Sequence, residues 1–238
     1  MSSQHVVIIG GSSGIGLASA AHLLEKGYRV TITGRDEAKL KAAAQSLTGE
    51  VATIAMDAAN LTGLAKAFET IGPFDHLVLA LGGGNGGGPF ASVDLTDVKK
   101  GFEQKTMAHF GCAQASLPYL SKEGSITFVS AVSAQAALPG TAGLGAVNAA
   151  IAALAPILAV ELKPVRVNCV SPGVVDTPWW DFLGEEQKAP AFASLAARTP
   201  IGRIGRPEEI ADAIGFLIGN SFTSGHTLIC DGGIRLGL

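Results

Sequence analysis

A doubly wound α/β sheet is the fold this sequence predicts, and three observations carry it. Short apolar runs rich in β-branched residues recur along the chain, each followed by a longer segment with helical spacing. The runs are continuously apolar rather than alternating, as parallel strands covered on both faces require. A glycine-rich turn, GGSSGIG at 10–16, joins the first run to the first helical segment. Together these describe a Rossmann-type doubly wound sheet of about seven mostly parallel strands with helices on both faces, in one domain spanning residues 1–238.

The elements follow in order. HVVII (5–9) leads into a helix near 15–27, YRVTIT (28–33) into one near 36–47, and VATIAM (51–56) into one near 60–71. DHLVLAL (75–81) precedes a long helix near 97–120, SITFVSA (125–131) one near 142–163, and VRVNCV (165–170) one near 207–218, before the last strand, HTLIC (226–230). Asp36 stands where an N-cap for EAKLKAAAQSL belongs. GGGNGGGP (82–89) follows the fourth strand, at the carboxyl edge where ligands of such sheets bind. Its glycines serve either close approach of a ligand to backbone, loop movement, or simple flexibility. GAVNAAIAALAPILAVEL is apolar nearly all round, so burial on more than one side is expected, with a bend at Pro156.

Composition narrows the classes of function. Of 238 residues 47% are hydrophobic and only 16% charged, which favours a large core plus a further buried surface such as a subunit interface. A net charge of −3 gives no electrostatic reason to expect nucleic acid. The most membrane-like stretch, AAIAALAPILAV (149–160), falls short of the roughly 20 residues a span needs, so no membrane association is expected. Cys112, Cys169 and Cys230 are odd in number and lack metal spacing, and the N-terminal apolar run is too short for a signal peptide. Free thiols, no bound metal and a cytoplasmic location are the expectation.

The turn at 10–16 carries the first chemistry. Gly10, Gly14 and Gly16 form GxxxGxG between a strand and a helix, where a tight turn and free helix N-terminal amides can receive a pyrophosphate. Ser12 and Ser13 add hydroxyl donors. At the end of the second strand, the place of a carboxylate that would accept from a ribose 2′-hydroxyl is held by Gly34, with Arg35 next. Loss of the carboxylate removes repulsion against a 2′-phosphate, and a guanidinium can bind that phosphate bidentately, so NADP(H) is the predicted cofactor.

These residues, with later ones, resemble the short-chain dehydrogenase/reductase family over essentially the whole chain. GGSSGIG matches its glycine motif and brings in Ile15, with Ile9 where a threonine is usual. Asp57 matches the acidic residue that holds the adenine amino group, and Gly82 is what remains of an Asn-Asn-Ala-Gly motif read here as LALG (79–82). SPGVVDTP (171–178) resembles the segment closing over the nicotinamide, which makes Pro172, Gly173 and Thr177 candidate contacts. PIGRIGRPEEIADAIGFL (200–217) and GHTLICDGG (225–233) match as well. The resemblance implies hydride chemistry on a carbonyl or alcohol, and a homodimer or homotetramer built on the 97–120 and 142–163 helices.

The family's proton-donating machinery is not carried over. Its serine position is Ala131, its tyrosine position thirteen residues on is Leu144, and its lysine position four further is Asn148. Its asparagine position on the long helix is Lys105, so lysine and asparagine have exchanged places. The two tyrosines, Tyr28 and Tyr119, lie elsewhere, and no shift of register rescues the motif. Lys105 is read in two ways: an ammonium entering the vacated pocket to polarise a carbonyl or hold the nicotinamide ribose, or a solvated lysine on KKGFEQK. His109 shares its helix face and is an alternative acid or a packing residue; Ser133 shares a strand face with Ala131 if the strand persists; Trp179 and Trp180 line a pocket or merely pack. Two functions remain: an NADP(H)-dependent oxidoreductase with a rearranged site, or a catalytically silent NADP(H)-binding sensor or partner subunit acting with an unknown small molecule.

Overall fold

The computed structural model of the chain describes residues 3–237. Its strands are β1 His5–Ile9, β2 Arg29–Gly34, β3 Val51–Ala55, β4 Phe74–Leu79, β5 Leu120–Val129, β6 Arg166–Pro172 and β7 Thr227–Cys230. All pair in parallel, in the order β3-β2-β1-β4-β5-β6-β7. The helices are α1 Gly14–Glu25, α2 Glu37–Ser46, α3 Leu64–Ile71, α4 Leu95–Gly101, α5 Ala108–Ser116, α6 Ala142–Glu161, α7 Gly184–Arg198 and α8 Pro207–Gly219.

Strand alternation explains why the runs are apolar throughout. Along β1, Val7 and Ile9 enter a core shared with Leu64 and Phe68 of α3, Cys112 of α5 and Ile151 of α6. Their neighbours Val6 and Ile8 enter the opposite core with Leu23 of α1, Leu40 of α2 and Ile214 of α8. Successive side chains point to opposite faces, so a strand covered on both needs apolar residues at every position. Because all strands are parallel, their carboxyl ends share one edge, and the order reverses direction between β1 and β4, which opens a crevice there.

Three departures from the predicted elements bear on function. The long helix is not uniform: between α4 and α5, residues Phe102–Met107 form a π-helical segment, and Lys105 sits in it. The fifth strand ends at Val129 rather than 131, and a 3₁₀ turn, Val132–Ala134, follows. Helix α7 was not foreseen; it buries no residue, carries Pro190 inside, and so lacks the apolar stripe that sequence periodicity detects. Helix α6 continues through Pro156 to Glu161, and it alone among the described helices is long and apolar enough by composition to cross a membrane.

Candidate functional site

The first part of the site is the turn after β1. Gly10 and Gly11 both donate to Thr33 O, at 3.1 and 3.0 Å, pinning the turn to β2. Gly10 has φ +85°, and a Cβ there would lie 2.7 Å from Ala80 O, so only glycine fits between β1 and β4. Ser13 is the N-cap of α1, with no capping bond from its side chain. Leu17 N is the first amide of the helix to reach a backbone acceptor, Ser13 O at 3.1 Å, which leaves those of Gly14, Ile15 and Gly16 for a ligand. Gly14 lies against Thr177, where a Cβ would meet the threonine Cβ at 3.3 Å. The segment predicted to close over the nicotinamide therefore rests on the phosphate turn.

The remaining cofactor candidates spread along the same edge. Gly34 ends β2 beside Ser12, with an added Cβ 3.1 Å from Ser12 Oγ, and Arg35 follows it on the surface. Asp36 is the N-cap of α2, accepting from Lys39 N at 3.0 Å, as expected. Exposed Asp57 lies just beyond β3 and accepts from Ala59 N at 3.1 Å. Pro172 closes β6; Gly173 donates to Cys230 O at 2.9 Å and packs so tightly that a Cβ would come 2.7 Å from Asp231 Cα. Packing alone thus accounts for glycine at 173.

The second part centres on Lys105. The solvated reading of this lysine is wrong: its side chain turns inward and the residue is only 6% exposed. Its Nζ donates to Asn148 Oδ1 at 2.7 Å. Asn148 Nδ2 in turn donates to Ser133 Oγ at 3.0 Å and to Leu144 O at 2.9 Å, and Ser130 Oγ donates to Asn148 O at 2.8 Å. The exchanged lysine and asparagine therefore touch. A π-turn widens the helix by one residue per turn, which is how a side chain from the long helix comes to lie opposite α6. Among the described residues no carboxylate pairs with Lys105, and burial pulls its amine down from 10.5 to about 8.

His109, one turn along, is not an acid. It is fully buried, its Nδ1 2.8 Å from Lys105 O and its Nε2 3.1 Å from Leu79 O. Burial first, and the Lys105 charge second, pull its pKa down to about 4, and both ring nitrogens are taken up by backbone carbonyls, of which a neutral ring can donate to one. Ser133 does not extend the strand face; the 3₁₀ turn after β5 swings it towards Asn148 instead. Ala131 and Leu144, both half-buried, bring no acid to the pocket.

The glycine-rich loop roofs this network. A Cβ on Gly83 would lie 3.3 Å from Lys105 Cβ, and one on Gly84 would lie 3.5 Å from the Trp179 indole, whose Nε1 donates to Gly83 O at 3.2 Å. Asp97 of α4 fixes the loop, accepting from Asn85 Nδ2 and from Gly86 N, both at 2.6 Å, and these bonds hold its carboxyl below the usual range. Gly86 meets Gly143 of α6 backbone to backbone, Gly88 donates to Gly140 O at 2.8 Å, and Leu144 reaches Gly87. Close approach of two backbones explains Gly86, whereas Gly83, Gly84 and Gly87 face side chains. Asp97 escaped the sequence reading because one aspartate near a helix start resembles any capping residue.

Known proteins resemble this chain along nearly its whole length. A family model described as Enoyl-(Acyl carrier protein) reductase matches residues 10–235. The L-fucose dehydrogenase of Mus musculus is 34% identical, covering 99% of this chain and 90% of its own. The 3-oxoacyl-[acyl-carrier-protein] reductase of Homo sapiens is 30% identical over 96% of this chain and 97% of its own. Among solved structures, a small-chain dehydrogenase in complex with NADPH superposes with a TM-score of 0.86 at 30% identity, covering 98% of this chain and 99% of its own.

Proposed function

The chain belongs to the short-chain dehydrogenase/reductase family, and on that premise we propose that it is an NADP(H)-dependent oxidoreductase of a carbonyl or alcohol substrate, working through a rearranged site. One observation carries the reading: beside an intact phosphate turn, a buried ammonium, Lys105, is paired among the described residues only with the neutral Asn148. An uncompensated buried charge is costly unless something negative arrives, and a carbonyl oxygen gaining charge during reduction is such a group. NADPH, when bound, supplies the hydride. The free amides of Gly14, Ile15 and Gly16, with Ser12 and Ser13, would hold its pyrophosphate, Arg35 its 2′-phosphate, Asp57 its adenine, and Gly10, Gly82, Pro172 and Thr177 line its path. Lys105 supplies positive charge through its contact with Asn148, and Trp179 and Leu144 would offer a substrate apolar surface.

The test has two stages. Fluorescence titration should give tighter binding of NADPH than NADH, and Arg35→Ala should weaken NADPH by about 10- to 100-fold while sparing NADH. Following NADPH oxidation across aryl and cyclic aldehydes and ketones should then reveal turnover that Lys105→Ala lowers by at least about tenfold. A Lys105→Ala protein that turns over as fast as the wild type would overturn the role of Lys105. The absence of any acid at 131 and 144 favours the alternative of a silent NADP(H)-binding sensor, which predicts binding without turnover on every substrate. For assembly, we propose a homodimer or homotetramer through the exposed apolar side chains of α5 and α6.

A further inference from the structure

We propose that Ser133 is the group that meets the substrate oxygen, and that Lys105 acts on it through Asn148 as one directed hydrogen-bond chain. This rests on the oxidoreductase reading above. The direction of the chain follows from what each group can do. A lysine ammonium only donates, so the atom of Asn148 at 2.7 Å from it must be the amide oxygen. A backbone carbonyl only accepts, so the atom 2.9 Å from Leu144 O must be the amide nitrogen. Two independent neighbours thus fix an orientation that amide geometry alone would leave open. The same nitrogen lies 3.0 Å from Ser133 Oγ, which must then accept. The serine's own proton has no acceptor among the described residues and is free to be donated to a ligand.

Position supports the assignment. Asn148 is 3% exposed and Lys105 6%, so neither offers an open face, whereas Ser133 is only half-buried. It stands just beyond the carboxyl end of β5, the edge where ligands of this sheet type bind. Three donors in series polarise one another, so the ammonium strengthens the final O–H as a donor without touching the substrate. As the carbonyl carbon accepts the hydride, the C=O π pair moves onto oxygen, which takes the Ser133 proton. The serine oxygen, steadied by the Asn148 N–H, regains a proton from solvent. Lys105 and Asn148 are positioning residues in this scheme, and Ser133 is the catalytic one.

The chain also fixes a pH dependence. The Lys105 amine, drawn down to about 8, loses its charge above that pH and with it the polarisation of the chain. The other titratable groups against it stay neutral across this range: His109 on its own helix at about 4, and Cys169 on β6, whose thiol burial pushes to about 12.

The experiment measures NADPH affinity and NADPH-dependent reduction of aryl and cyclic ketones, with full pH profiles, in five proteins. These are the wild type, Ser133→Ala, Ser133→Thr, Lys105→Met and the Ser133→Ala/Lys105→Met double variant. Expected are unchanged NADPH affinity in Ser133→Ala, a kcat/KM at least about tenfold lower, and recovery of most of it in Ser133→Thr. Wild-type kcat/KM should fall above pH about 8, and Lys105→Met should flatten that limb. The double variant should lose no more than Ser133→Ala alone, as members of one chain do. Wild-type turnover in Ser133→Ala, or additive losses in the double variant, would overturn the inference and leave the oxidoreductase reading standing. A wild type that binds NADPH but reduces nothing overturns both.

Discussion

Lys105 places a lone positive charge where the fold has removed water, and its energetic signature should be measurable without any substrate. Its folded pKa of about 8 lies below the ordinary 10.5, so the charged form is the one burial penalises. Between those values the unfolded chain carries a proton that the folded chain lacks, and stability rises with pH across that window. The full effect is on the order of 3 kcal/mol, reached near the upper limit and absent below about pH 8. Lys105→Met removes the titration, so the stability of the wild type relative to this variant should climb from pH 8 to 10 in denaturant melts. A flat difference would mean the amine is solvated. The same charge explains why the family's usual set cannot be rebuilt by halves: a lysine at 148 beside Lys105 would put two ammonium groups in one buried pocket. The exchange of lysine and asparagine was legible from residue spacing, but their contact was not, because the π-turn that joins them leaves no periodic trace.

At the scale of elements, the loop after β4 and the start of α6 act as one piece. Gly86 and Gly143 approach through bare backbone, and a Cβ at 143 would overlap Gly86 O. Gly143→Ala should therefore cost about 1–3 kcal/mol in thermal or denaturant melts and loosen the loop over Lys105. A wild-type melting curve would show that the loop yields freely. The strands were readable because burial on both faces demands runs such as HVVII, and the helices that cover them show an apolar stripe. Helix α7 was not, since it buries nothing and has no stripe to read. The loop's packing was equally hidden: GGGNGGGP looks the same whether its glycines are slack or, like Gly86, set against another glycine.

For the whole molecule, two core layers sit between one sheet and its covering helices, and a third apolar surface is left outward. Phe110 of α5 is 45% exposed, and Ile157 and Val160 of α6 are 57% and 72% exposed. The proposed assembly would bury these side chains against a second copy. Light scattering after size exclusion should give a dimer or tetramer, and Phe110→Glu with Val160→Glu should return a monomer that still binds NADPH. A wild-type monomer at micromolar concentration would end the proposal. The chain has two tryptophans, adjacent to each other, and Trp179 hangs its indole from the backbone of the loop that roofs Lys105. All indole emission thus originates beside that loop, and ligand binding under it should change the tryptophan fluorescence.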